Sequence, residues 1–131
     1  MFLQGLDDAL LDWLRRAAEQ ATWVTSVCAG STILGAAGLL RGRRATSHWQ
    51  ALAILKTMGA DAVSDERVVV DGEVMTSAGV SAGIDMALRL VAEVAGEARA
   101  KAITLAIEYA PEPPFATGCT RRRTREPRRG R

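Results

Sequence analysis

W-V-T-S-V-C-A-G-S-T-I-L-G-A-A-G-L-L-R-G, residues 23–42, runs from a β-branched, uncharged segment through a cysteine into an Ala/Gly/Leu-rich segment. Trp23 to Val27 reads as a strand buried on both faces. Gly30 to Leu40 reads as a helix closed by L-L-R-G-R, with Gly42 at the left-handed cap position. Cys28 stands at the junction. Where a strand turns sharply into a helix, the turning residue takes strained backbone angles, and small residues two before and two after it avoid a clash. Ser26 and Gly30 fill those places. The turn also sets the sulfur near the first amides of the helix, whose partial positive charge favours thiolate over thiol. Cys28 is therefore the candidate nucleophile.

Working outward, Asp7 and Asp8 open a helix to about Gln20, in which Leu6, Leu10, Trp13, Leu14 and Ala17 recur at three- and four-residue spacing. Arg44 to Ser47 is a short strand, and His48 to Met58 has helical spacing ending at Gly59. E-R-V-V-V-D and E-V-M-T-S form a hairpin around Asp71-Gly72. The run from Ala78 to Gly96 puts small residues first and leucines later, as in a helix that approaches a sheet closely. Glu97 to Tyr109 gives a last helix, stopped by Pro111. Alternating strands and helices predict an α/β layered fold with a largely parallel sheet, of which about three strands are visible.

His48 is the sole histidine, twenty residues after Cys28 and at the end of the next strand. Sheet geometry can bring it to the same edge, where a Cys-His pair would activate the thiol; a surface or packing histidine beside Trp49 is the alternative. Gly30, Gly35 and Gly38 lack the Lys-Ser/Thr of a phosphate loop and read as close-packing glycines. Asp85, inside an apolar helix, needs a partner and is expected to bond local backbone or Ser81. Glu66, Asp71 and Glu73 are expected to be solvated around the hairpin. One histidine and two distant cysteines cannot build a usual metal site.

With 131 residues, 48% of them apolar and 24% charged, the chain has the composition of one soluble globular domain. Cys28 and Cys119 are too far apart in sequence and context for a disulfide framework, which indicates a reducing compartment. The N-terminus has no basic region of a secretory signal, so a cytoplasmic protein is expected. Ala21 to Leu40 is uncharged over twenty residues, about the span of a bilayer. Its hydroxyl residues and glycines, and a strand followed by a helix, argue against insertion. Residues 119–131 hold seven arginines and one glutamate, a basic tail set apart from a domain over 1–118 with net charge −4. With no aromatic residue interleaved to stack on bases, the tail reads as solvated rather than as a nucleic-acid arm.

The V-T-S-V-C-A-G-S-T-I-L-G-A-A-G-L-L-R-G-R-R-A-T-S-H-W segment resembles the nucleophile-elbow region of the PfpI/ThiJ superfamily, the class I glutamine-amidotransferase-like fold. V-V-V-D-G-E-V-M-T-S-A-G-V-S-A-G-I-D-M-A-L-R-L-V and E-Y-A-P-E-P-P-F are similar to its isocyanide hydratase branch and to the amidase-like domains of AraC-type regulators. The resemblance runs from about Asp7 to Phe115. It implies a flavodoxin-like sandwich, usually dimeric, with the cysteine as reactive group and no metal or organic cofactor. In the hydratase branch the thiolate adds to an isocyanide and water releases an N-substituted formamide. By this resemblance Cys28 is the nucleophile and the Ala29 N–H an oxyanion donor, with Ala29 standing where the hydratases tend to have Thr. The family places about one more βαβ unit before the opening helix, bearing an acid/base carboxylate and a glycine-rich loop, so the chain is expected to be shortened at its N-terminus. The resemblance thus implies a cysteine-dependent hydratase or amidase-like protein. The alternatives are a non-catalytic sensing or dimerisation domain and an inactive remnant.

Overall fold

The computed structural model describes residues 7–119 as an α/β sandwich. Helix α1 (Asp8–Gln20) starts where the Asp7 carboxylate accepts the Ala9 N–H at 2.9 Å, satisfying a donor that the first turn leaves without an intrahelical partner. It is followed by β1 (Val24–Val27), a 3₁₀ turn (Cys28–Gly30), α2 (Ser31–Ala36), β2 (Arg44–Ala45), a second 3₁₀ turn (Trp49–Ala51), α3 (Leu52–Thr57) and β3 (Asp61–Ala62). The hairpin β4 (Val68–Asp71) and β5 (Val74–Ser77), then α4 (Ala82–Ala95), α5 (Glu97–Ala106) and a third 3₁₀ turn (Ala116–Gly118), follow.

Among the described residues two of the three strand pairings are parallel. In the three-stranded sheet β5 is central, parallel to β1 with Val24 opposite Val74 and Val27 opposite Ser77, and antiparallel to β4. The second sheet pairs β2 with β3 in parallel. Side chains join the two sheets: the Thr46 N–H donates to Thr76 Oγ1 at 2.9 Å, and the Arg44 N–H to Asp71 Oδ2 at 2.8 Å. The core forms where α2, α3 and the segments after them meet the strands: Leu34, Leu40, Ala45, Leu55, Ala60 and Val74 pack with Val24. On the opposite face α4 closes on β1 so tightly that a Cβ at Gly83 would sit 2.8 Å from Val27 Cγ1. That contact explains why this helix begins in small residues.

Several boundaries and faces differ from the sequence reading. β1 is not buried on both faces: Ser26 is buried while Thr25 and Val27 are exposed, because β1 is an end strand of its sheet among the described residues. The helix after Cys28 stops at Ala36, and Gly38 (φ 79°) and Gly42 (φ 72°) turn the chain through left-handed backbone that glycine adopts without strain. α5 ends at Ala106, short of Tyr109, with Glu108 at φ 54°. In α1 the inward residue is Leu11, and Leu10 and Trp13 are exposed; Leu6 lies outside the described residues. β3 is too short and polar to show any alternation in sequence.

Candidate functional site

β1 delivers an extended backbone as far as Val27 (φ −113°, ψ 134°), and by Gly30 (φ −58°, ψ −25°) the chain is helical. Cys28 makes the reversal at φ 57°, one of two non-glycine residues with positive φ among the described residues. A side chain held in this region costs on the order of 1–3 kcal/mol, so surrounding structure must impose it. The Cys28 N–H donates to the Ala78 carbonyl just beyond β5 at 3.0 Å. Its own carbonyl accepts from Ser47 Oγ at 3.1 Å and from Ser31 Oγ at 3.3 Å. Thr32 Oγ1 donates to the next carbonyl, Ala29, at 2.6 Å, and Ser77 Oγ to the Ser26 carbonyl at 3.3 Å.

Cys28 is half-buried. Ala29 follows in the first turn of helical backbone, where N–H groups lack intrahelical acceptors and point outward. The small pair flanking the turn is looser than its sequence suggests. A Cβ at Gly30 would lie 3.8 Å from Ser26 Cβ, an ordinary contact, so a methyl group fits there. Ser26 Oγ is buried without a hydrogen-bond partner.

His48 reaches the same end of the sheet, since its neighbour Ser47 bonds the Cys28 carbonyl. Its Nδ1 accepts the Gln50 N–H at 3.2 Å and caps the following 3₁₀ turn, leaving the proton of the neutral ring on Nε2. The ring lies 5.8 Å from that of Trp49, and no hydrogen bond joins it to Cys28 among the described residues. Ser31 and Ser47, both fully enclosed, escaped the sequence reading. Single hydroxyls between other small residues carry no periodic signal.

Asp85 finds different partners from those expected. Its Oδ2 accepts from Arg67 Nε at 2.8 Å and its Oδ1 from the Tyr109 hydroxyl, while Arg67 also reaches Ser81 Oγ at 3.5 Å. The Asp85 hydrogen bond, with desolvation and the carboxylate's charge, raises the Tyr109 pKa above its usual value. Glu66 and Glu73 are exposed to solvent, as expected around the hairpin, and also pair with Arg44 and Arg43. Two surface clefts, one bordered by Arg44, Arg67 and Arg89 and the other by Arg15 and Arg43, do not include Cys28.

A parallel-stranded α/β sandwich with a cysteine forced to positive φ between strand and helix defines a class of proteins built around a cysteine elbow. The model of the DJ-1/PfpI family matches residues 4–93, and this chain belongs to that family. An isonitrile hydratase of Pseudomonas putida is 53% identical over 112 residues, covering 86% of this chain and 49% of that protein. The HTH-type transcriptional regulator CdhR of Pseudomonas aeruginosa is 39% identical over 95 residues, covering 72% of this chain and 28% of the regulator. Among solved structures, a ThiJ/PfpI family protein from Pseudomonas syringae superposes with a TM-score of 0.81 at 45% identity, covering 86% of this chain and 46% of that one. The chain therefore spans about half the length of the hydratase and less of the regulator.

Proposed function

We propose that this chain carries the cysteine half of a hydratase-like site, with Cys28 as nucleophile and a small isocyanide as substrate. One observation carries the reading: Cys28 holds positive φ at the strand-to-helix turn of a chain 53% identical to an isonitrile hydratase. In the proposed reaction the Cys28 thiolate forms a C–S bond to the terminal carbon of R–N≡C. That carbon takes a proton from water, giving a thioimidate. The hydroxide left from that water then adds to the same carbon, its proton passes to nitrogen, the C–S bond breaks with its electron pair returning to sulfur, and R–NH–CHO leaves. The atoms of one water molecule are consumed and nothing is oxidised or reduced, so no cofactor is required. The Ala29 N–H steadies charge developing on the reacting group, and His48 is proposed to assist through Nε2.

The same reading makes the protein a cytoplasmic homodimer, with both free thiols kept reduced. No described helix is long and apolar enough to cross a membrane. The test is conversion of a simple alkyl isocyanide to its formamide by the purified chain, followed by NMR. Loss of turnover in Cys28→Ser supports the reading, and no turnover in the parent chain sinks it. The similarity to CdhR favours a second reading, a sensing domain that binds a small ligand without turning it over. Saturable binding of the isocyanide with no product identifies that case.

A further inference from the structure

Cys28 is gripped on both of its peptide groups, and the grip comes from three separate parts of the chain. Ala78, after β5, takes its N–H; Ser31, at the start of α2, and Ser47, after β2, donate to its carbonyl. Ser31 is three residues away and bonds locally. Ser47 is nineteen residues away, with 1% of its surface exposed, and sits on the segment whose Thr46 N–H is anchored to Thr76 of β5. It is the long-range hydroxyl on the carbonyl side of the elbow. We propose that Ser47 is a positioning residue: its hydroxyl fixes the Cys28 carbonyl, and through it the strained backbone that presents the sulfur and aims the Ala29 N–H.

The physical reason is that strain relaxes unless the surroundings over-determine it. Rotating Cys28 out of positive φ swings its carbonyl, so a donor seated on another element opposes that rotation directly. Ser47 also precedes His48, whose Nδ1 holds the next turn in place. One short segment therefore braces the elbow and sets the direction of the imidazole. The importance of the brace for reactivity rests on reading Cys28 as the nucleophile; the brace itself does not.

Two readouts separate these. In a Cys119→Ser background, which leaves Cys28 as the only thiol, Ser47→Ala and Ser47→Thr are compared with the parent full-length chain. Hydrogen exchange of the Cys28 amide reads elbow opening. Losing one such bond is expected to speed it about five- to tenfold in Ser47→Ala, with Ser47→Thr returning close to the parent. The rate of Cys28 alkylation by iodoacetamide then reads reactivity, falling in Ser47→Ala and recovering in Ser47→Thr. Unchanged amide exchange in Ser47→Ala overturns the proposal, as does equal acceleration in Ser47→Thr. If the parent chain alkylates like free cysteine while the exchange effect holds, the nucleophile reading falls and the brace stands. Should Ser47→Ala fail to fold, it is remade with Cys28→Gly, since glycine adopts positive φ freely. Recovery of the fold then supports the brace, and failure of that double variant overturns it.

Discussion

Two regions of this domain hold their shape by different chemistry. At the elbow, the carbonyls of Ser26, Cys28 and Ala29 are each held by a hydroxyl from Ser77, Ser31, Ser47 or Thr32, all of them buried. Around the hairpin and α4, Arg43, Arg44 and Arg67 pair with Glu73, Glu66 and Asp85, every side chain roughly a third to a half exposed. A neutral hydroxyl is cheap to bury once bonded and fixes one direction. A surface ion pair gains little over hydration, with measured values of about 0–1 kcal/mol. The elbow is thus built for geometry, and the charged pairs tolerate alteration.

The largest effect expected from breaking that contrast is at Gly83. Valine there drives a side chain into Val27 Cγ1, already 2.8 Å from a Cβ position, and forces α4 away from β1. Overpacking of this kind costs about 1–3 kcal/mol. Urea melts should show the loss, and Val27→Ala should restore part of it; a parent-like midpoint in Gly83→Val alone contradicts the close approach. Next comes Thr76→Val, which leaves the buried Thr46 N–H without its acceptor. The penalty for a stranded buried donor is about 1–3 kcal/mol. By contrast Glu66→Gln, at a pair with both partners about half exposed, should shift the same midpoint by less than about 1 kcal/mol.

This difference also governs what could be read from the sequence. The hairpin was legible because Asp71-Gly72 announces its own turn, and Gly72 does take φ 58°. The elbow was legible because a cysteine between a β-branched run and a small-residue run marks where a strand gives way sharply to a helix. The face of α1 was not. Leu10, Leu11, Trp13 and Leu14 give apolar residues on adjacent faces, and only packing on α2 selects Leu11. The partners of Asp85 lie 18 and 24 residues away, Arg67 at the start of the hairpin and Tyr109 beyond α5, and no local spacing connects them. Ser47 was hidden for the same reason, since its partner is fixed only when β2 docks beside the elbow. Local signals reveal turns and periods; contacts between elements require the fold.

Tyr109 offers a sharper probe of the charged pairs, because it is the only tyrosine in the chain. Its absorbance titration should lie above the usual phenol value of 10.0, held there by the Asp85 hydrogen bond, by desolvation and by the carboxylate's charge. Removing the carboxylate in Asp85→Ala should move the titration back toward that value. The sign for stability follows from the raised pKa. The contribution is complete below the unfolded-state value and is lost as pH rises through the folded one. An unchanged titration in Asp85→Ala disconnects Tyr109 from α4.

The smallest effect belongs to Glu73, whose carboxyl is held below its ordinary 4.5 by a backbone hydrogen bond and by Arg43. A depressed carboxylate contributes stability at pH values above the unfolded-state value. That contribution falls away as acid protonates the folded form, so the window opens near 4.5 and runs downward. In Glu73→Gln the acid limb of the stability profile should flatten slightly, while the profile near neutrality keeps its shape. Because the carboxylate is solvent-exposed, salt should weaken the Arg43 part of the effect. The backbone hydrogen bond should persist, since it is a short-range contact. An acid limb that salt abolishes completely would put the ion pair first and reverse the order of causes at this end of the sheet.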